Sequence, residues 1–206
     1  MDFARPYSLV SPSADFDALA VLARTTDSLS GREIARRAGR SQEWTRKVLE
    51  RLVEHGIAQR RPGGSALLYD LNRTHLAAPA VEQLVELRLL LVDRLRAELA
   101  SWDVQPAAAA LFGSAARGDG GTDSDIDLFV VRPAGVEPDD PVWLAQSDAL
   151  ATGVRAWTGN NASIVESSVE ELVDLIGRAP PILDSIRADA IDLSDPPIRS
   201  LLRSAR

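Results

Sequence analysis

Apolar residues recur at helical spacing along the first third of the chain. Phe16, Leu19 and Leu22 predict a first amphipathic helix within residues 14–24. A second, short helix is predicted from Ser30, because a serine followed three residues later by Glu33 is typical of a capping box. Gly39 suits its end, since glycine commonly follows the last turn of a helix.

A third helix and a hairpin complete this pattern. Ser41 is the predicted N-cap of the third helix and Gly56 its end, with one apolar face formed by Trp44, Val48, Leu49, Leu52 and Val53. The opposite face is expected to expose Gln42, Thr45 and Arg46. Two short runs around Pro62-Gly63-Gly64 then predict a β-hairpin.

The segment from Pro79 to Trp102 is predicted to form one long connecting helix that opens near Pro79, because proline is tolerated in a first turn. Its leucines and valines surround more than one face, so the helix needs cover on more than one side. It is either sandwiched between two modules or forms the seam of a homodimer.

Two apolar runs of the second half predict neighbouring strands, and two carboxylates open the second run. The runs are 106–112 and 125–131, and Asp125 and Asp127 stand two positions apart. Since side chains alternate across a strand, both carboxylates point to the same face, about 7 Å apart along the backbone. Like charges so close repel unless a cation lies between them. The pair therefore predicts a divalent-metal site.

Gly113 and Ser114 follow the first of these strands and predict a phosphate-binding turn. Glycine allows a ligand to approach the backbone closely, and serine supplies a hydroxyl. The next residues, Ala115-Ala116-Arg117-Gly118, can continue into a helix whose free N–H groups face an anion. The phosphate and the metal are thus expected to share one cleft.

Composition narrows the choice of metal and of compartment. The chain has no cysteine and only two histidines, so any metal is expected to have oxygen ligands, which favours Mg²⁺ or Mn²⁺. No apolar run approaches the roughly 18 residues of a membrane span, and no leader pattern opens the chain, so we expect a cytoplasmic protein that does not enter a membrane.

Charge is divided unevenly along the chain. Up to His75 there are 12 Arg and Lys residues against 9 Asp and Glu residues, a net charge of +3. The remaining chain holds 11 against 21, a net charge of −10. Such a division indicates two modules with different partners.

The first module resembles a winged helix-turn-helix domain of bacterial regulators, by the order of its three helices and hairpin. The resemblance implies double-stranded DNA as a partner, with the third helix in the major groove and the hairpin near phosphates. Docking of another protein is the alternative. We expect Arg46, Lys47, Arg60 and Arg61 to share one exposed surface. The candidate DNA-binding residues are Ser41, Gln42, Thr45, Arg46, Lys47, Arg60 and Arg61.

The second module resembles the nucleotidyltransferases of the DNA polymerase beta superfamily, particularly the small bacterial members. The resemblance is carried by Gly113-Ser114, Arg117-Gly118, Ser124 and Asp125-Ile126-Asp127. It implies that Asp125 and Asp127 hold the metal and are catalytic. It also implies that a nucleoside triphosphate is the substrate, bound by Gly113, Ser114, Arg117 and Ser124, and that an acceptor hydroxyl attacks its α-phosphorus.

The sequence departs from this family at one position. Members generally carry a third carboxylate on a following strand, and here that position falls on Ser163 in the run 160–168. Glu166 is the nearest acid, but in a regular strand it points to the opposite face from Ser163. Either a bulge turns Glu166 inward, or Glu166 only precedes a capping box at Ser168 and Glu171.

These features together predict an α+β protein of three parts. Residues 1–75 form the winged helix-turn-helix domain, 76–104 the connecting helix, and 105–206 a nucleotidyltransferase fold with a mixed sheet flanked by helices. The first functional hypothesis is a metal-dependent nucleotidyltransferase with a DNA-binding module. The second is a catalytically degenerate regulator or antitoxin-like protein that binds DNA or nucleotide. The third is a structural adaptor without metal affinity.

Overall fold

The computed structural model describes residues 1–10, 13–64, 66–178 and 180–204, and these form two compact units. The N-terminal unit spans Arg5–Leu87. The C-terminal unit consists of the chain from Arg88 onward together with Met1–Ala4. Each unit has its own sheet and its own hydrophobic core.

The N-terminal unit contains a short 3₁₀ turn, Pro6–Leu9, followed by helices and a small antiparallel sheet. Its helices are α1 (Asp15–Ala23), α2 (Gly31–Ala38), α3 (Gln42–Glu54) and α4 (Ala78–Val85), and its strands are β1 (Leu29–Ser30), β2 (Ala58–Gly63) and β3 (Ala66–Leu71). The strand order is β1-β3-β2. The three helices and the hairpin that the sequence predicts are confirmed.

Side-chain caps explain where α2 and α3 begin. The Ser30 hydroxyl oxygen accepts a hydrogen bond from the Glu33 N–H at 3.2 Å, and Ser41 accepts from the Trp44 N–H at 3.2 Å. Both caps satisfy backbone donors that a first helical turn leaves free. Gly39 ends α2 in a left-handed conformation, with φ +63°.

The C-terminal unit is a mixed four-stranded sheet with helices on both faces. Its helices are α5 (Leu87–Ala100), α6 (Gly113–Arg117), α7 (Pro141–Thr158), α8 (Val169–Arg178), α9 (Pro181–Asp189) and α10 (Ile198–Ser204). Its strands are β4 (Ala108–Phe112), β5 (Ile126–Arg132), β6 (Ala162–Ser168) and β7 (Ile191–Asp192). The order is β6-β5-β4-β7, with only the β5–β6 pair parallel.

The central strands of this sheet are covered on both sides. On one face, Ile126, Leu128 and Val130 of β5 pack with residues of α5 and α7. On the other face, Phe129 and Val131 pack with residues of α8, α9 and α10. Because both faces are buried, β4 and β5 are nearly continuous apolar runs instead of alternating ones.

The connecting segment differs from the single helix that the sequence predicts. The structure has two helices, α4 and α5, and Glu86 between them departs from helical geometry, with φ −106° and ψ 14°. The apolar residues of α4 pack into the core of the N-terminal unit, and those of α5 into that of the C-terminal unit. The broad apolar surface thus serves two separate cores, and the homodimer stays a prediction.

Candidate functional site

Asp125 and Asp127 lie at the beginning of β5, one before the strand and one within it. Asp125 is exposed and Asp127 is partly buried. Burial raises the pKa of Asp127, the charge of Asp125 raises it further, and the charge of Arg117 acts in the opposite direction. The charge of Asp125 therefore opposes the ionisation of Asp127 in the absence of a cation, as the sequence predicts for neighbouring acids.

Gly113 brings the turn after β4 against the carboxylate of Asp127. Its φ of +69° is a left-handed conformation that other residues rarely adopt. A Cβ atom built on Gly113 would lie 2.3 Å from Asp127 Oδ2 and 3.2 Å from its Cγ. The antiparallel register explains this contact, because Phe112, the last residue of β4, is paired with Asp127. Glycine is therefore required at this position for two independent reasons.

Ser114 lies in α6, and Ser124 lies in the loop that connects α6 to β5. The carbonyl oxygen of Ser114 accepts hydrogen bonds from the N–H groups of Gly118 at 2.9 Å and Asp119 at 3.1 Å. The hydroxyl oxygen of Ser124 accepts from the N–H of Gly121 at 3.0 Å. Ser124 therefore helps to close the turn ahead of Asp125.

Arg117 is held at the end of α6 by two carboxylates. Its guanidinium lies 3.1 Å from Asp119 Oδ2 and 2.8 Å from Asp189 Oδ2, and both contacts raise its pKa, that to Asp189 most. Asp189 closes α9 and is distant in sequence, so no local motif points to it. This ion pair connects α9 to the segment that carries Gly113 and Ser114.

Ser163 stands at the position where the sequence analysis expects a third carboxylate. The parallel register pairs Ser163 of β6 with Asp127 of β5, so their side chains share one face of the sheet. Ser163 is partly buried. The prediction that this face receives a hydroxyl in place of an acid is confirmed by the register.

The side chain of Glu166 points to the opposite face of the sheet and is hydrogen-bonded there. Its carboxylate accepts hydrogen bonds from Trp143 Nε1 at 3.0 Å and Ser147 Oγ at 3.1 Å, and it lies 3.5 Å from an Arg132 nitrogen. No bulge turns it inward. The capping box that follows it is present, because Ser168 and Glu171 exchange hydrogen bonds at 2.7 and 3.1 Å.

The donor set suits a cation that takes part of its coordination from a ligand. Across residues 1–10, 13–64, 66–178 and 180–204, no group of three or more His, Cys, Asp or Glu side chains is arranged to hold a metal. Mg²⁺ is usually bound through one or two carboxylates, with phosphate oxygens and water completing its shell. Asp125 and Asp127 fit this arrangement.

The N-terminal unit contains a cleft of about 720 Å³ between α2, α3 and β3. Its polar and charged lining includes Arg32, Gln42, Glu43 and Arg46, and Leu67 and Tyr69 line it from the hairpin. Arg32, in the first turn of α2, is not among the residues that the sequence singles out. Arg46 forms an exposed ion pair with Glu50 at 2.6 Å, and Lys47 forms one with Glu43 at 3.1 Å.

Two expectations for this surface are wrong. Thr45 is fully buried and its hydroxyl donates to the Ser41 carbonyl at 2.9 Å, because its position on α3 faces the core and not solvent. Arg60 and Arg61 are exposed but, as successive residues of β2, they point to opposite faces of the hairpin. Arg60 shares the face of Tyr69, whereas Arg61 contacts Asp70 and Ser28 on the other.

Comparison with known proteins places the second half of the chain in a family. A family model described as nucleotidyltransferase domain matches residues 92–203, more than half of the 206 residues. The match begins within α5 and includes all four strands of the C-terminal sheet. No curated protein matches the chain. In the described part of the chain, no helix has the length and apolar character needed to cross a membrane.

Proposed function

The chain belongs to the nucleotidyltransferase domain family, and we propose that its C-terminal unit transfers a nucleoside monophosphate from a nucleoside triphosphate to an acceptor hydroxyl, with Mg²⁺ or Mn²⁺. The observation that carries this proposal is the close approach of Gly113 to the Asp127 carboxylate. It supports a site in which the predicted phosphate-binding turn lies beside Asp127, one of the two predicted metal ligands, as the binding of a metal-bound triphosphate would require.

Some residues of the proposed site bind the cation, and others bind the phosphate groups. Asp125 and Asp127 hold the cation, which when bound neutralises the charge that develops on the α-phosphoryl group. Gly113 leaves room for the phosphate tail beside Asp127. Ser114 offers a hydroxyl to the phosphate oxygens, and Arg117, fixed by Asp119 and Asp189, adds positive charge at the edge of the site.

A catalytically degenerate binding protein is the second candidate function, and Ser163 favours it. Serine at this position cannot accept the proton of an attacking hydroxyl as a carboxylate does. The described acid nearest in sequence, Glu166, is engaged by Trp143 and Ser147 on the other face. This candidate predicts that the protein binds a metal-nucleotide complex without turnover and acts as a regulator.

Turnover assays with labelled nucleoside triphosphates and Mg²⁺ separate the two candidates. We expect pyrophosphate release or labelling of an acceptor by the parent protein, and loss of both in the double variant Asp125→Asn and Asp127→Asn. Asp123→Asn is the matched control, because Asp123 is an exposed acid of the same loop. Nucleotide binding without pyrophosphate release would favour the degenerate protein, and equal metal-dependent binding by the double variant would refute the metal site.

For the N-terminal unit we propose a winged helix that binds double-stranded DNA. The order of α1, α2, α3 and the β2–β3 hairpin supports it, as does a cleft lined by Arg32, Gln42 and Arg46. The exposed ion pair of Arg46 with Glu50 is no obstacle, since such helical pairs contribute only about 0.3–0.5 kcal/mol.

Charge reversal in α3 and on the two faces of the hairpin tests this proposal. Arg46→Glu and Arg60→Glu should weaken binding to duplex DNA and reduce its dependence on salt, because each removes a phosphate contact. Arg61→Glu is the matched control, since Arg61 lies on the opposite face of β2 from Arg60. Equal losses in all three variants would indicate a nonspecific charge effect, and no loss in any of them would favour a protein-docking module.

A further inference from the structure

Asn160 is a buried polar residue beside the candidate site, and neither the motif nor the proposed roles include it. It follows α7 and is only 2% exposed. We infer that Asn160 is a positioning residue for Asp125: its side-chain amide holds the loop ahead of Asp125 and so sets where that carboxylate meets the cation. This inference rests on the proposed metal-nucleotide site.

The amide nitrogen of Asn160 is directed at three parts of this loop. Nδ2 donates to the carbonyl oxygen of Ser124 at 2.8 Å, of Gly121 at 3.1 Å and of Thr122 at 3.3 Å. Nδ2 also lies 3.4 Å from the carbonyl oxygen of Met1, so the two N–H groups of one amide are shared among four carbonyls. A buried amide used in this way orders a loop that has no strand partner of its own.

Asp125 is held through the peptide groups on both of its sides. The Ser124 carbonyl belongs to the peptide that precedes Asp125, and Asn160 binds it. The N–H of Ile126 belongs to the peptide that follows, and it donates to the backbone carbonyl of Asn161 at 2.8 Å. Consecutive asparagines thus fix the backbone around an exposed acid that lies just before β5.

Neighbouring contacts hold Asn160 and the loop in place. Gly159 ends α7 with φ +79°, and the N–H of Asn160 donates to Thr158 Oγ1 at 3.0 Å. From another direction, the N–H of Phe3 donates to the carbonyl oxygen of Gly120 at 2.7 Å. The loop of residues 120–124 is therefore fixed at both of its ends. The side chain of Asn160 donates hydrogen bonds to three of its carbonyls.

The neighbouring asparagine provides a matched control. The side chain of Asn161 is exposed and contacts Arg155, whereas its contribution to Asp125 comes from its backbone carbonyl and survives substitution. Asn160→Ala removes the shared amide, and Asn161→Ala removes an exposed amide of the same size one position away. Leu150→Ala, in the buried part of α7, serves as a variant that lowers stability without touching the loop.

Calorimetry with Mg²⁺ and each of the four α,β-methylene nucleoside triphosphates measures the effect on the site. We expect Asn160→Ala to weaken binding at least tenfold and Asn161→Ala less than twofold. Leu150→Ala should retain the affinity of the parent despite its lower stability. If the parent binds and Asn160→Ala binds equally well, the positioning role is refuted while the proposed function stands.

Backbone amide exchange tests the same role without any ligand. Asn160→Ala should accelerate exchange across residues 121–126 selectively, and Asn161→Ala should not. If the parent binds none of the nucleotides in calorimetry, the proposed function fails. Unchanged amide exchange in Asn160→Ala would by itself overturn the positioning role, whether or not the parent binds nucleotide. Asn160→Ser, too short to reach three carbonyls, replaces Asn160→Ala in both measurements if the alanine variant does not fold.

Discussion

Replacing Gly113 with alanine should damage the candidate site far more than it damages the fold. The left-handed φ of +69° makes any L side chain costly there, by about 1–2 kcal/mol. The new Cβ would also lie 2.3 Å from Asp127 Oδ2, a distance that no real contact allows. The atom that must move is the far end of a side chain, so Asp127 rotates away at a cost of about 0.5–1.5 kcal/mol.

The matched control is Gly135→Ala in the same unit. Gly135 has a φ of +82°, but nothing lies within 4 Å of the point where its Cβ would stand, so only the backbone cost applies. Urea denaturation should give a loss of about 1–2 kcal/mol for Gly135→Ala. Gly113→Ala should lose that amount and the rotation cost of Asp127 in addition.

Binding separates the two variants more sharply than stability does. Gly113→Ala displaces Asp127, the proposed metal ligand, and should weaken Mg²⁺-dependent nucleotide binding at least tenfold, whereas Gly135→Ala should bind as the parent does. In an Asp127→Ala background, Gly113→Ala should cost only the backbone part, which a double-mutant cycle measures. Equal nucleotide affinities of Gly113→Ala and Gly135→Ala would refute the coupling between the phosphate turn and the metal ligand.

Three further outcomes follow from the site and its surroundings. Ser163→Asp places a carboxylate beside Asp127 and should raise the rate of pyrophosphate release, whereas Glu166→Gln should leave that rate unchanged. Asp127→Asn should stabilise the protein without ligand at pH 7. The pKa of Asp127 is raised in the folded state. The parent therefore loses stability as the pH rises above about 3.9, the pKa of this carboxyl in the unfolded chain. The advantage of the variant in thermal melts should vanish at lower pH. Ser168→Ala removes the cap of α8 and should cost about 1 kcal/mol in urea denaturation.

The local elements of this protein are determined by short-range chemistry and could be derived from the sequence. Ser30 and Ser41 accept hydrogen bonds from first-turn N–H groups, and such caps depend only on residues three positions apart. The placement of Asp127 in β5, with Asp125 directly before the strand, also follows from the local apolar pattern. Ser163 could be placed beside Asp127 through the resemblance to the nucleotidyltransferases, and the β5–β6 register pairs the two residues.

Other features depend on residues that meet only when the chain folds. The sequence predicts Thr45 on an exposed face, but helix rotation against the core buries it completely. It also predicts one connecting helix, since no residue near Glu86 is a strong breaker, yet the two parts of that segment pack into separate cores. In both cases packing outweighs a local preference worth only a few tenths of a kcal/mol per residue.

The surroundings of the candidate site were decided by tertiary structure in the same way. Gly113 is predicted to let a ligand approach the backbone closely, but only the β4–β5 register brings it against the carboxylate of Asp127. Asp189 reaches Arg117 from α9, and Asn160 reaches the loop ahead of Asp125 from the end of α7. The sequence determined which groups we propose for the chemistry, because a motif is local. Contacts between distant segments decided what holds those groups in place, since their partners have no fixed spacing along the chain.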